Sequence, residues 1–184
     1  MKKIPYKGAM VLGAILRPVE KCFIWTAVLI LLALVILTNV EVFGRYFIGY
    51  STLISDEYGG YAYTWIVLLG GVHLLRSDGN LTMNLVVDRN LSLKKNCQIL
   101  AALVGTVCSA IFVYACWKTF MLSYAFGSRS IQPSRTVLWV PQIILPIGFA
   151  VLTLAYLEEF LRRISGMPVR RAQDDKNLWG DEEH

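Results

Sequence analysis

Few side chains in this sequence could carry chemistry, and they do not converge. An active site needs titratable groups that meet around a reacting atom. There are two histidines, His73 and His184, and the second is the last residue. A membrane cytochrome needs paired axial ligands, which one histidine inside an apolar block does not supply within a single chain. The plainer reading of His73 is an interfacial side chain hydrogen-bonded to a neighbour. Cys22, Cys97, Cys108 and Cys116 form no C-x-x-C pair and lie within or at the edge of apolar blocks. They read as small, polarisable packing residues rather than a disulfide or zinc framework. No phosphate loop, G-x-S-x-G or H-x-x-x-H pattern is present. No catalytic residue, cofactor or metal site is therefore expected.

The remaining polar positions of interest lie at the ends of apolar blocks. Glu41 and Arg45 stand four apart, in the order that suits a helical ion pair. They read either as a structural pair at headgroup level or as a partner-facing pair. Asp56 and Glu57 follow Ser55, which reads as a helix cap, and acids in a first turn suit the helix dipole. The competing reading is a polar anchor for another subunit. Lys118 is a basic residue inside an apolar block. About 21 residues into a helix, it can reach the outer surface by extending along its own stem. Ala101, Gly105 and Ser109 make one stripe of small residues; Ala102, Thr106 and Ala110 make another beside it. Such stripes let membrane helices approach closely.

Long apolar blocks must position these residues. The 184-residue chain is 55% hydrophobic and 17% charged, with a mean hydropathy of +0.51. Four blocks, about 22–43, 57–75, 97–126 and 137–160, each reach the roughly 20 residues that cross the hydrocarbon. Lipid offers no partner for backbone N–H and C=O groups, so spans of this length must be helical. The expected fold is an all-α membrane protein of four transmembrane helices over residues 1–165. A polar cytoplasmic tail, 166–184, follows. Pro146 is expected to kink the last span and Pro141 to be tolerated near its start.

Orientation follows from the basic residues. Lys2, Lys3, Lys7, Arg17 and Lys21 precede or open the first block. Arg76, Arg89, Lys94 and Lys95 separate the second and third. Arg162, Arg163, Arg170, Arg171 and Lys176 follow the fourth, whereas the two opposite connections hold Arg45, Arg129 and Arg135. The bias predicts both termini in the cytoplasm. Phe43, Tyr46, Phe47, Tyr124, Phe126 and Trp139 mark the outer interface. The stretch Gly8 to Leu16 reads as an interfacial segment, and Asn80 to Lys95 as a short cytoplasmic interfacial segment between helices 2 and 3. The net charge of +5 reflects topology and anionic lipid, and points to no nucleic acid.

The order of motifs resembles a known family. Asn39-Val40-x-x-Phe43-Gly44-Arg45-Tyr46-Phe47 closes the first span. Ser55-Asp56-Glu57 opens the second, followed by Tyr63-x-Trp65-x-x-x-Leu69-Gly70-Gly71. Leu145-Pro146-Ile147-Gly148-Phe149 lies in the last. Over roughly Val19 to Ile164 the chain is similar to the small membrane subunit (DctQ-like) of TRAP transporters, the tripartite ATP-independent periplasmic systems. The resemblance implies a non-enzymatic scaffold in the bacterial inner membrane. It implies a large multi-span permease as partner, and a periplasmic binding protein that delivers an organic acid for sodium-driven uptake. Glu41, Arg45, Asp56, Glu57 and Arg76 are then candidate partner-interface residues, and Ala101, Gly105 and Ser109 candidate helix-packing residues. The competing expectation is a self-sufficient oligomeric channel or small transporter, with Lys118, Glu41 and Arg45 along a pore.

Overall fold

A computed structural model of the chain describes residues 3–49, 54–77, 91–132 and 134–165. Four long helices account for most of them. Helix α1 runs Lys3–Phe43 and passes into a π-helical turn, Gly44–Ile48. Helix α2 is Ile54–Arg76 and α3 is Leu91–Phe126. A short α4, Trp139–Gln142, leads into α5, Ile144–Ser165. Among the described residues the extended pairing is confined to a bridge between Arg129 and Val137.

Three of these stretches are long and apolar enough to cross a membrane: Gly8–Phe47, Asn96–Phe126 and Trp139–Ser165. Helix α2 falls outside that group although it has 23 residues. Its composition explains this, since Gly59, Gly60, Gly70 and Gly71 and Tyr58, Tyr61 and Tyr63 dilute its aliphatic run.

Two boundaries differ from the sequence reading for physical reasons. The stretch Gly8 to Leu16 is not a separate segment. It continues unbroken into the first span, with Pro18 inside the helix. Ala9 and Leu16 are buried, so one face of this stretch is covered by protein. In the last block the helix is interrupted at Ile143. Pro146 has no N–H to give the Gln142 carbonyl, the bond that would have carried the helix through. The segment 78–90, which holds most of the expected cytoplasmic interfacial segment, and the tail 166–184 lie outside the described residues; Leu91 to Lys95 already belong to α3.

The chain divides into two compact units. The first holds residues up to Glu20, Gly71–Ser109 and Val151 onward; the second holds Lys21–Gly70 and Ala110–Ala150. In the first, Val72, Leu75, Ala102 and Ala155 are buried. Gly105 lies against the Tyr156 ring so closely that an added Cβ would stand 2.6 Å from Cδ1 and Cε1. In the second, Leu68 and Leu69 are buried, and a Cβ on Gly148 would stand 2.4 Å from Cδ2 of Leu68. Glycine at both positions permits the close helix approach that membrane packing relies on. The second unit also holds an apolar crevice of about 320 Å³ lined by Leu34, Leu37, Tyr61, Trp65, Val140 and Pro141. The Trp65 indole N–H donates to the Pro141 carbonyl at 3.0 Å beside the helix break.

Candidate functional site: two buried polar clusters

In the second unit the polar centre is Glu57, in the first turn of α2 and only 7% exposed. A buried carboxylate must be given donors. The Tyr61 hydroxyl, one turn along, donates to Oε1 at 3.0 Å. The Ser134 hydroxyl donates to Oε2. Ser134 Oγ also lies 2.9 Å from Thr136 Oγ1, which donates to the Tyr58 hydroxyl at 3.2 Å. One acid on α2 thus gathers hydroxyls from its own helix and from the connection between α3 and α4. The reason for Glu57 at that place is local: an acid in a first turn faces the free N–H end of its helix.

That connection, loop 127–138, is braced within itself. Ser128 N–H donates to the Ser123 carbonyl (3.1 Å), Ser130 N–H to Thr136 (2.9 Å) and Leu138 N–H to Ser128 (3.1 Å). Gly127 has φ +57°, where glycine is the natural choice. Arg135 has φ +46° without being glycine, an uncommon conformation for a residue with a Cβ. Just before and after the loop, Tyr124 and Trp139 pack edge to face at 5.8 Å.

In the first unit the centre is Arg76, at the end of α2 and 5% exposed. Its Nε lies 3.1 Å from Glu20 Oε2 on α1 and its Nη2 lies 3.4 Å from Glu158 Oε2 on α5. Nη2 also donates to the Gly13 carbonyl at 3.3 Å. Glu158 is 2% exposed and its other oxygen faces Arg162 Nη1 at 3.7 Å. Glu20 Oε1 meets His73 Nδ1 at 2.8 Å. Glycine at 13 leaves room for the Glu158 carboxylate, whose Oε1 would stand 2.6 Å from an added Cβ and would have to shift. Three helices therefore share one cation between two acids, an arrangement in which each charge has an opposite neighbour.

The residues expected from sequence are distributed unevenly. Glu57 and Arg76 are buried within their own units and engaged by residues of this chain. Glu41 is half-buried near the end of α1, while Arg45, in the π turn, and Asp56 are exposed. A π turn spaces its bonds five residues apart, so Glu41 and Arg45 do not stand in simple α-helical register. Of the small-residue stripe, Ala101 is exposed, Gly105 lies under Tyr156 and Ser109 is buried, its hydroxyl donating back to the Gly105 carbonyl at 2.7 Å. Lys118 is exposed on α3. His73 has a neighbour to bond, and it is Glu20.

Sequence reasoning passed over Glu20 and Glu158, the two acids that hold Arg76. A signal existed, since an acid within an apolar span is itself a marker of a partnered site. It also passed over Ser134 and, through it, Thr136, for which no sequence pattern pointed to Glu57. Among the described residues no group of His, Cys, Asp or Glu is arranged to hold a metal ion.

Long apolar helices with buried charges answered inside the chain define a multi-span membrane protein. Residues 34–166 match the family model "Tripartite ATP-independent periplasmic transporters, DctQ component". The chain belongs to that family, the small membrane component of TRAP transporters, which is a transporter component and not an enzyme. The match begins inside α1, later than the residue-19 start of the motif resemblance. No curated protein and no solved structure matches the chain.

Proposed function

We propose that this chain is the scaffold subunit of a TRAP-type secondary transporter in a bacterial inner membrane. It holds a large permease subunit that performs sodium-driven uptake of an organic acid, and a periplasmic binding protein delivers that acid. Four spans cross the bilayer: α1, α2, α3 and the α4–α5 pair, with both termini cytoplasmic. The family match over residues 34–166 carries the reading. The asymmetry of basic residues supports the orientation. Helix α2 is about 35 Å long at ~1.5 Å per residue, sufficient for ~30 Å of hydrocarbon. Burial of Leu68, Leu69, Val72 and Leu75 supports a span shielded by protein, which needs less lipid-facing apolar surface.

The buried clusters suit a scaffold, because each ties helices or loops of this chain to one another. The exposed candidates Arg45 and Asp56, and the broad apolar faces of α1 and α3, are left for the partner. Trp25, Ile36 and Phe43 on α1, Phe47 in the π turn that follows it, and Tyr114 and Phe126 on α3 are all more than half exposed.

The test is genetic and topological. Deleting the chain should abolish uptake while the large subunit is still made, and reporters fused after residue 184 should be active in the cytoplasm. Full uptake without the chain, or a carboxyl terminus on the periplasmic side, would refute the proposal.

A further inference from the structure

The apolar crevice of the second unit has walls suited to hydrocarbon and one end suited to a headgroup. Leu34 and Leu37 of α1 supply part of the wall, and Ala33 and Ala62 leave space that larger side chains would fill. The part of α1 that lines it, from Ile30 to Leu37, is roughly 10 Å long. It belongs to a stretch apolar and long enough to cross a membrane, and so do Val140 and Pro141. The crevice therefore lies at the depth of lipid chains.

The hydrogen-bonding side chains along the wall are already engaged. The Trp65 indole N–H donates to the Pro141 carbonyl at 3.0 Å, and the Tyr61 hydroxyl donates to Glu57 Oε1 at 3.0 Å. The Thr136 hydroxyl donates to the Tyr58 hydroxyl at 3.2 Å. A polar guest would give up its water and find no donor along the wall. Left empty, a space of about 320 Å³ forfeits the dispersion contacts of its lining. Apolar cavities stay dry and take apolar guests, so the guest here is a hydrocarbon chain.

One end of the crevice differs. The Tyr58 hydroxyl accepts from Thr136, which leaves its own proton to donate, and Tyr58 is 42% exposed. Arg135, next to Thr136 in the chain, is exposed and held at φ +46°. A donor and a cation at the end of an apolar slot match a phosphate above an acyl chain. A hydrocarbon side chain from a protein partner would leave both of them unanswered.

We infer that this crevice binds one phospholipid, with an acyl chain held among α1, α2 and α4 and its phosphate at the Tyr58 hydroxyl and Arg135. The site is built wholly from this chain, so the inference stands apart from the assembly proposed above.

The experiment is native mass spectrometry of the full chain, alone and with its large subunit, from a delipidating detergent with dioleoyl phosphatidylglycerol as the added probe. Wild type should hold one phospholipid per chain in both preparations. Diacylglycerol with the same chains lacks the phosphate and should bind about tenfold more weakly. Ala62→Phe fills the crevice and should weaken phosphatidylglycerol binding by about tenfold or more. Tyr58→Phe and Arg135→Gly each remove one headgroup contact and should each weaken it about threefold to tenfold; glycine suits the left-handed backbone at 135. Ile111→Phe, at a position of α3 that is 61% exposed, adds bulk outside the crevice and should change nothing. Tyr58→Phe and Arg135→Gly leave the apolar walls intact, so they decide the matter if Ala62→Phe does not fold. A ladder of adducts with no preference for one, or no adduct at all, would overturn the inference. So would wild-type binding in both headgroup variants, or equal binding of diacylglycerol. Loss of the lipid only when the large subunit is present would also overturn it, because the crevice would then seat a side chain of that subunit.

Discussion

The two units bury charge in opposite ways. Around Arg76 a cation is answered by acids, Glu20 and Glu158, brought from two other helices. Around Glu57 an acid is answered by neutral hydroxyls, Tyr61 from its own helix and Ser134 from a loop. Opposite charges in an apolar setting depend on one another, because removing one strands the other. Hydroxyls are separately dispensable, and each loss leaves the others in place. The first cluster should therefore act as a unit that holds α1, α2 and α5, and the second as a graded tether that sets the position of a loop.

The sharpest way to break this contrast is Arg76→Met. It leaves two acids without the cation they share, and the expected loss is about 3–5 kcal/mol, the scale for breaking a buried ion pair. A large drop in melting temperature in detergent should follow. Arg76→Lys should recover part of it, since one ammonium keeps the charge but lacks the fork that reaches Nε and Nη2 partners together. A small drop for Arg76→Met would show that the cluster is not interdependent.

Next in size is Gly105→Ala. A methyl there must displace the Tyr156 ring, and overpacking of this kind costs about 1–3 kcal/mol. Thermal unfolding of the purified variant checks it, and an unchanged midpoint would mean the helices separate easily.

Glu57→Gln should act locally. The amide still accepts one bond, so the helices hold while loop 127–138 loosens. Hydrogen exchange at Ser130, Thr136 and Leu138 should accelerate, with exchange around Arg76 unchanged. Equal acceleration in both regions would erase the distinction between them.

The smallest effect should have the opposite sign. Gly60 has nothing within 4 Å of a built Cβ. Gly60→Ala should stabilise the isolated chain by about 0.5–1 kcal/mol, the backbone entropy that glycine loses in a helix. If the same change weakens recovery of a large subunit, Gly60 lies on the partner-facing side.

The legibility of the two regions in sequence differed for the same physical reason. Helix existence was plain, because hydrocarbon permits little else for runs such as Cys22 to Phe43. The break in the last span could be read from Pro146, a residue whose effect is local. Arg76 and Glu57 were noticeable as charges at the ends of apolar blocks. Their partners were not, because Glu20 and Glu158 lie 56 and 82 residues from Arg76 in the chain, and no periodicity links them. The extension of α1 through Gly8 to Leu16 was missed for a related reason. Gly13 is defined by its closeness to Glu158, which only tertiary packing reveals.

The central claim is that this chain exists to hold a larger membrane partner, and native mass spectrometry of the tagged chain extracted from membranes that also contain the large permease tests it most directly. The account predicts a dominant species containing one copy of each. A spectrum of this chain alone, as a monomer or a ring of identical copies, with the permease extracted separately and active, would contradict it.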